Sequence, residues 1–530
     1  MTAVEPRAAG TMQELLRRLD DLNGIQVRGA PAGDTVTVSV PPGELEAAVH
    51  RLAGPGGARL ADMFAADGDA ATLRLVWGID GGAAAGPRYL ITESVLDGQQ
   101  YPALSDIAPA AFVEECEIYE QFAIRPATAK PLNRLMLPPH GAAELPRLGH
   151  QPARPAEEVH ALRTVGGQAF EFPFGPVRQA GVETLYYGIV TSGEEIVDLY
   201  LFTWHKHRGV EWRLRGRTPR EAAFFVERAE GLSTVALGWA FAAAAEAAAG
   251  TGPPPPAART RAVALELERL YNHAAAIAGL CQATGLTVGQ SAAEIALERL
   301  LRLNAAVFGH RYLFGVVGPG GTRREPDGEA LRRGLPGAYG ELCRATDALL
   351  RTNSFLDRLE ATGILTAEQV RRLGLVGPVA RAAGLAVDAR QASSSGDGQP
   401  QGNPYAGCPV RVATGDGGDV LARFRVMLAE AAESVRLIGD LLDAGTGAGV
   451  AALDTGGAVR SGLGWAESPR GEALAWVALD GSGRITRARL RPASARNWRG
   501  FDDACRSQNV FTDIPIIEAS FWLTVAGMAR

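Results

Sequence analysis

The residues that could bind a metal ion are scattered along the chain. Five cysteines occur, with no C-x-x-C pair and no histidine at a spacing that would complete a zinc or iron-sulfur site: Cys116, Cys281, Cys343, Cys408 and Cys505. His205 and His207 form an H-x-H pair, but the sequence offers no third ligand for it. We therefore predict that this chain holds no metal ion.

A carboxylate close to an arginine is the best candidate for proton chemistry. Glu230 follows Arg228 by two residues, and a buried carboxyl group with a raised pKa is a frequent proton donor or acceptor. The alternative is structural, with the Glu230 carboxylate paired to an arginine inside a filled pocket. His207 and Glu211 are four residues apart, a spacing that gives a simple side-chain contact on a helix.

The net charge of -6 gives no overall attraction to nucleic acid, whose binding requires many cations to neutralise phosphates. Lysine occurs only at Lys130 and Lys206. Arginine therefore carries almost all positive charge, and an arginine cluster in the sequence is weak support for an anion site. Six arginines lie on and after a predicted C-terminal hairpin, where we expect a subunit interface: Arg484, Arg487, Arg489, Arg491, Arg496 and Arg499.

The N-terminal residues are charged and helical in pattern, unlike a signal peptide, and the odd cysteine count favours a reducing, cytoplasmic location. The most notable uncharged stretch, Gly231 to Ala245, has fifteen residues, whereas a membrane-spanning helix needs about 20. We therefore expect any membrane association to depend on partner subunits.

The apolar pattern predicts an α+β protein with two domains. A small α/β domain is predicted for residues 1–140. A linker is predicted for residues 141–163, because they contain many prolines and few apolar residues. Residues 164–530 predict a mainly helical domain, a bundle of long helices with peripheral β-hairpins. Its helices are predicted at residues 218–249, 258–284, 290–308, 338–361 and 418–443. A loop is predicted at Gln391 to Pro404 and a hairpin around Asp480 to Gly483.

Two segments of the first domain form a recognisable pair, EECEIYEQFAIRP (114–126) and NRLMLPPHG (133–141). Together they resemble the signature of the complex I subunit that docks beside the quinone-site subunit. That signature reads roughly E-R-E-x-x-D-M-F/Y-G-I and then R-R-L-L-L-P. The chain departs from it at Cys116, Gln121 and Ala123.

The second domain contains several short motifs in a fixed order. FPFGPVRQAG (172–181) is similar to P-x-G-P-x-H-x-G, WHKHRGVE (204–211) to Y-x-H-R-G-x-E, and LELERLYNHAAAIAGL (265–280) to E-L-E-R-L-x-x-H. These motifs, in this order, resemble those of the large subunits of nickel-iron hydrogenases and of the quinone-site subunit of complex I. The fusion of both domains in one chain resembles the membrane-bound, group 4 hydrogenases of the formate hydrogenlyase type.

In those hydrogenases four thiolates carry nickel and iron, two from E-R-x-C-G-x-C and two from a C-terminal D-P-C-x-x-C. The aligned residues here are Glu230 and Ser233 in the first motif and Thr524 and Gly527 in the second. The spacing of Glu230 and Ser233 would let them share a helix face. Neither carboxylate nor hydroxyl oxygens replace soft sulfur donors, so we expect no nickel-iron centre and no hydrogenase activity.

Complex I has a quinone chamber in place of the metals. Its headgroup donors are a tyrosine one residue after the first cysteine position and the histidine of G-P-x-H, which correspond to Gly231 and Arg178 here. Both usual hydrogen-bond partners are lost, although Arg178 could donate to a quinone carbonyl. Quinone reduction therefore stays an alternative function.

The resemblance also implies roles for five other polar residues. His207, Arg208 and Glu211 match the family's H-R-G-x-E, near the buried site and the partner interface. Arg470 matches an arginine that reaches the metal ligands in hydrogenases, so here it could bind another anion or pair with the carboxylate of the first motif. Asp513 matches a polar position that could continue a proton path or belong to a structural network.

The resemblance implies a peripheral-arm subunit of a membrane-bound oxidoreductase, complex I-like or related to energy-converting hydrogenases, on the cytoplasmic face of the plasma membrane. The expected partners are an iron-sulfur small subunit with a 4Fe-4S cluster, a ferredoxin-like iron-sulfur subunit and membrane-embedded ion-translocating subunits. We expect no cofactor bound by this chain alone, with quinone as the alternative. A further alternative is a non-catalytic scaffold whose pocket is filled by Phe521 and Trp522.

Overall fold

The computed structural model describes residues 11–32, 35–66, 71–80, 87–128, 132, 135, 169–178, 183–394, 404–405, 407–454, 457, 460–506 and 508–530. The predicted linker at 141–163 lies outside these residues, as does most of the predicted loop Gln391 to Pro404. The described part mixes helix and sheet, which confirms the α+β class. It forms two compact units, the first from residues within 1–161 together with 371–374, and the second from the rest.

The first unit is built around a five-stranded sheet of order β1-β2-β5-β4-β3. Strands β2 and β5 are parallel and the other neighbours are antiparallel. The elements are α1 Met12–Leu19, β1 Gln26–Ala32, β2 Thr35–Ser39, α2 Leu45–Ala53, β3 Arg59–Ala66, β4 Thr72–Gly78, β5 Tyr89–Val95, β6 Gln100–Pro102, α3 Phe112–Phe122 and β7 Arg125–Ala127. One apolar core joins sheet and helices, with Leu15, Val38, Leu52, Leu75 and Ile118 among its members.

The second unit begins with a three-stranded antiparallel sheet and continues into long helices. Its first elements are β8 Phe170–Phe174, β9 Tyr186–Ser192, β10 Glu195–Phe202, α4 Val210–Arg213, α5 Pro219–Val226, α6 Thr234–Ala249, α7 Pro255–Ala283 and α8 Thr287–Phe308. They are followed by β11 Val317–Gly318, β12 Gly321–Thr322, α9 Gly328–Leu349, α10 Asn353–Leu359, α11 Ala367–Leu373, α12 Pro378–Ala382 and α13 Val420–Asp443. The last residues of α11, 371–373, are grouped with the first unit.

Strand β13 joins β11 and β12 in a small antiparallel sheet, and the chain then forms a third three-stranded antiparallel sheet, β14-β15-β16, and ends in short helices. These elements are β13 Gly449–Val450, β14 Arg460–Ser468, β15 Gly471–Leu479, β16 Ile485–Arg491, α14 Ala493–Asn497, α15 Phe501–Cys505 and α16 Ile514–Phe521. The turn between β15 and β16 contains Asp480 to Gly483, so the predicted hairpin is confirmed.

Two predicted helices are wrong in extent. The predicted helix 218–249 is divided into α5 and α6, because the intervening residues 227–233 form turns that contain Gly231. The predicted helix 338–361 begins earlier, at Gly328, and is interrupted between α9 and α10. None of the helices in the described residues combines the length and apolar content of a membrane-spanning segment.

Helix α6 packs unusually closely on strand β14, and this fixes the position of its N-terminus. The helix is rich in alanine and almost wholly buried. A Cβ atom on Gly464 would lie 2.1 Å from the Ala240 carbonyl oxygen, and one on Gly462 would lie 2.4 Å from that of Ala244. Only glycine therefore fits on the strand at this separation of helix and sheet.

Candidate functional site

The first motif lies in the turn that leads into α6. The Ser233 amide donates to the Glu230 carbonyl at 3.0 Å, and the helix begins at Thr234. Glu230 and Ser233 are both buried, at 1% exposure each. The expectation that they share a helix face is therefore wrong, because the turn residue Gly231 stands between them outside the helix.

The C-terminal motif contacts this turn, although the two segments are almost 300 residues apart in the sequence. Helix α16 ends at Phe521, and Trp522 takes a left-handed conformation that redirects the chain. Thr524 Oγ1 then donates to Glu230 Oε1 at 2.6 Å. A Cβ atom on Gly527 would lie 3.1 Å from the same oxygen. Three of the four positions aligned with metal ligands, Glu230, Thr524 and Gly527, therefore lie together around Glu230 Oε1.

The fourth position, Ser233, is held by Arg470. Arg470 Nη2 donates to Ser233 Oγ at 2.9 Å, and Nη1 donates to Asn272 Oδ1 at 3.0 Å. Arg470 is buried at 2% exposure. Of the two partners that the sequence suggested for Arg470, an anion or Glu230, neither appears in these contacts, which are with neutral groups instead.

A second buried carboxyl group, Glu268 on α7, completes what we call the vacated pocket: Glu230, Ser233, Glu268, Arg470 and Thr524. Glu268 accepts from the amides of Val235 at 2.7 Å and Ala236 at 3.1 Å, at the N-terminus of α6. Burial raises the pKa of Glu268 to about 7, and the nearby Glu230 adds to the rise, while the two amides and Arg470 oppose it.

Glu268 was not among the residues predicted from the sequence. It lies two residues from Glu266 in the same motif and on the same helix, so no local pattern distinguishes the two carboxyl groups. The difference between them becomes visible only in the folded chain, where Glu268 accepts hydrogen bonds from backbone amides and Glu266 binds arginines.

The turn of the C-terminal motif is fastened by two charged side chains. The Glu183 carboxylate accepts from the amides of Val525 at 2.5 Å and Ala526 at 2.8 Å. Arg208 donates to the Ala526 carbonyl at 2.7 Å and also to the Ala229 carbonyl. Arg208 therefore links the backbones of the two motifs. It helps to hold the turn before α6 and the C-terminal turn in place, without its side chain being one of the pocket residues.

Glu211 anchors the chain terminus. Its carboxylate accepts from Arg487 Nη1 at 3.0 Å, from Arg530 Nε at 3.0 Å and from the Leu490 amide at 2.9 Å. Burial would raise its pKa, but the neighbouring arginines outweigh burial and lower it. His207 precedes α4, which begins at Val210, so His207 and Glu211 do not lie on one helix as their spacing predicted.

Arg178 and Asp513 are engaged in other contacts. Arg178 binds the Glu518 carboxylate through both terminal nitrogens, at 2.9 and 3.0 Å, and Tyr187 donates to the same carboxylate at 2.9 Å. Asp513 accepts from the Val510 amide at 2.9 Å and from Arg358 at 3.1 Å. Asp513 directly precedes α16, at the opposite end of that eight-residue helix from Thr524.

The aromatic residues before Thr524 contact neighbouring helices. The Phe521 ring lies 5.6 Å from that of Phe501 and 4.9 Å beneath the Arg423 guanidinium. The Trp522 ring packs on Gly279 of α7, where an added Cβ would approach it to 2.8 Å. Phe521 therefore packs against α13 and α15, and Trp522 packs against α7.

The vacated pocket offers oxygen and nitrogen groups and no sulfur. The nickel-iron pair requires soft thiolates, so the side chains present do not fit it. Among the described residues no cluster of three His, Cys, Asp or Glu side chains could hold a metal ion. Two carboxyl groups are instead close enough for one to affect the pKa of the other, an arrangement that can hold and exchange a proton.

The chain is similar to hydrogenase proteins and to subunits of respiratory-chain NADH dehydrogenases. Residues 295–456 match the family of the respiratory-chain NADH dehydrogenase 49 kDa subunit. Formate hydrogenlyase subunit 5 of Escherichia coli is 27% identical over 79% of this chain and 75% of its own length. The carbon monoxide-induced hydrogenase of Rhodospirillum rubrum is 29% identical over 66% of this chain and 96% of its own length.

Two further proteins extend the similarity. An NADH-quinone oxidoreductase subunit of Herpetosiphon aurantiacus is 27% identical over 64% of this chain and 93% of its own length. A chain of the archaeal membrane-bound sulfane sulfur reductase has the same fold, with a TM-score of 0.62 and 22% identity over 69% of this chain and all of that chain. These matches confirm the resemblance seen in the motifs: the chain is similar to formate hydrogenlyase subunit 5, to the carbon monoxide-induced hydrogenase and to an NADH-quinone oxidoreductase subunit.

Proposed function

We propose that this chain is the peripheral-arm large subunit of a membrane-bound oxidoreductase complex, complex I-like or related to energy-converting hydrogenases, with no nickel-iron centre. It couples electron or proton transfer to membrane subunits. The observation that carries the proposal is the convergence of Glu230, Thr524 and Gly527, with Ser233 held by Arg470. The positions aligned with the sulfur ligands still lie together, and Glu230 is the one among the four with an ionisable side chain.

The role proposed for the vacated pocket is to hold a proton near neutral pH. Glu268 has a pKa of about 7 because burial outweighs its two amide donors, so it exchanges a proton under physiological conditions. Glu230 is the neighbouring acceptor, and its Oε2 is buried with no hydrogen-bond partner among the described residues. Arg470 and Thr524 orient the groups around the two carboxyls, and Asp513 remains a proposed continuation of the path.

The partners and cofactors follow from the relatives. We propose an iron-sulfur small subunit that supplies a 4Fe-4S cluster, a ferredoxin-like iron-sulfur subunit and membrane-embedded ion-translocating subunits. The chain itself would bind no cofactor and would lie at the cytoplasmic face of the membrane, with His207, Arg208 and Glu211 near a subunit interface. Residues 1–140 would form the domain that resembles the docking subunit, and residues 164–530 the domain that resembles the large subunit, joined by residues 141–163.

Quinone reduction is the enzymatic alternative, and it is supported by similarity to the NADH-quinone oxidoreductase subunit of Herpetosiphon aurantiacus. Arg178, the one remaining candidate donor for a quinone carbonyl, already binds Glu518 through both terminal nitrogens. Saturable binding of a quinone analogue to the assembled complex would establish this function. Absence of saturable binding would remove it.

Isolation of the complex tests the main proposal. The chain, tagged and expressed from its native operon, is expected to purify from detergent-solubilised membranes with iron-sulfur and membrane subunits. A free monomer without such companions would overturn the proposal. The scaffold alternative is distinguished by Glu230→Gln in the intact complex, which leaves turnover unchanged if the pocket serves structure alone and lowers it if the pocket holds the transferred proton.

A further inference from the structure

A cavity of about 300 Å³ lies on the second unit, outside the vacated pocket. Its walls come from α5 and the turn after it, and from the segment between α8 and α9. Four arginines line it, namely Arg220, Arg228, Arg323 and Arg324, together with His310. Glu227 is the one carboxylate among the lining residues that the structure describes. The cavity therefore concentrates positive charge on a chain whose net charge is negative.

The single carboxylate is already engaged. Glu227 accepts from Arg228 and, through its other oxygen, from the Gly315 amide at 2.8 Å. Arg324 donates to the Phe308 carbonyl. The guanidinium groups of Arg220 and Arg323, both exposed, make no hydrogen bond or ion pair with any other described residue. Two guanidinium groups thus remain available to a ligand.

The wall of the cavity is ordered by aromatic contacts. The Arg228 guanidinium lies 3.8 Å from the centre of the Phe224 ring and 4.6 Å from that of Phe314. His310 packs edge-on against Phe314 at 4.9 Å. Its Nδ1 accepts from the Tyr312 amide at 3.1 Å, which leaves the ring proton on Nε2. His310 therefore contributes a neutral N–H donor beside the arginines.

We propose that this cavity binds a phosphate group. Guanidinium groups present paired N–H donors that match two phosphate oxygens, and two such groups are unoccupied here. Arginine abundance in the sequence alone would not support the proposal. It rests on the concave site, the engaged carboxylate and the two available guanidinium groups, and it is independent of the proposed proton chemistry. The phosphate group could belong to a soluble anion or to the headgroup of an acidic phospholipid.

Calorimetric titration of the full-length chain with pyrophosphate, and sedimentation with vesicles of phosphatidylcholine with and without phosphatidylglycerol, test the proposal. The wild type is expected to bind at least one probe saturably. Arg220→Gln and Arg323→Gln should each weaken binding about tenfold, and the double variant about a hundredfold, because each removes a charged hydrogen bond. Arg351→Gln is the matched control, because Arg351 is exposed and lies outside the cavity.

The two arms distinguish the sources of the phosphate. Loss of pyrophosphate binding in the double variant identifies a soluble ligand, whereas loss of phosphatidylglycerol binding alone identifies a lipid headgroup. The proposal is overturned if the wild type binds neither probe, or if the double variant binds as well as Arg351→Gln does. A thermal melt checks that the variants are folded, and the Lys versions, which keep the charge, should retain part of the binding.

Discussion

Two neighbouring regions of the second unit bury charge in opposite ways. The vacated pocket contains two carboxyl groups and one arginine, held mainly by neutral partners. The other region, here called the ion network, lies between α7, α12, α13 and β14. It consists of Glu266, Arg269, Arg381, Asp388, Arg390, Glu430 and Glu467.

In the ion network each carboxylate meets at least one arginine. Arg390 binds Glu266 at 3.0 Å and Asp388 at 2.7 Å, while Arg381 binds Glu430 at 2.7 Å. Burial alone would raise the pKa of Glu266, yet Arg390 and Arg269 outweigh it and lower the value to about 2. Burial likewise opposes ionisation of Glu430, but its pKa is lowered to about 2, mainly by Arg381.

Glu266 and Glu268 are equally buried on one helix, but their pKa values move in opposite directions. Burial favours the neutral acid in both cases, and only an adjacent cation reverses it. In the ion network the arginines therefore keep Glu266 and Glu430 ionised, although burial and Asp388 raise the pKa of Glu467. In the vacated pocket, Glu268 keeps a proton that is exchangeable near neutral pH. A structural role fits the first region and a proton-handling role fits the second.

The ion network should respond most strongly to substitution. Glu266→Gln removes a carboxylate that binds Arg390, Arg269, Tyr405 and Ser434, and the two arginines then remain buried without it. We expect a loss of about 3–5 kcal/mol in the free energy of unfolding, measured by urea denaturation. Glu329→Gln, which touches only an exposed ion pair on α9, should cost less than about 1 kcal/mol. Equal losses in the two variants would contradict the contrast between buried and exposed charge.

The vacated pocket should make stability depend on pH. The folded-state pKa of Glu268 lies above its unfolded value, so this group stabilises the fold at low pH and the contribution is lost as pH rises towards and through 7. The loss amounts to about 3 kcal/mol between pH 4 and pH 8. Glu268→Gln cannot ionise, so its unfolding free energy should fall less over this range. Parallel profiles for wild type and variant would show that Glu268 does not carry the exchangeable proton.

A weaker effect is expected at the junction of the two motifs. Thr524→Val removes the hydroxyl that donates to Glu230 Oε1 at 2.6 Å, which should cost about 1–3 kcal/mol because a buried carboxyl oxygen loses its partner. A double-mutant cycle with Glu230→Gln should show a coupling energy of about 1 kcal/mol. Strictly additive losses would mean that the two side chains do not interact in solution.

Metal content should not change at all when cysteines are introduced into the first motif. The wild-type chain and Glu230→Cys combined with Ser233→Cys should both lack nickel and hydrogen evolution, because the C-terminal half of the site stays Thr524 and Gly527. Metal analysis of both purified proteins checks this. Stoichiometric nickel in either would show that the assignment of the ligand positions is wrong.

Much of the second unit could be predicted from the sequence. The long helices α7, α8 and α13 lie near their predicted positions because their apolar residues repeat with helical spacing, and the hairpin followed from the turn residues Asp480 to Gly483. Helix boundaries were less predictable. The break between α5 and α6 depends on a turn whose residues carry no strong helix-stopping signal apart from Gly231.

The residue types alone establish which chemistry is absent and which side chains stand at the motif positions. None of the four positions aligned with the nickel-iron ligands is a cysteine, so the soft sulfur donors of that site are missing. Folding was needed to show that Glu230 meets Thr524, that Arg470 holds Ser233 rather than Glu230, and that Glu268 differs from Glu266. These properties could not be predicted because the pKa and partners of a buried group depend on charges brought near by folding, which sequence spacing does not encode.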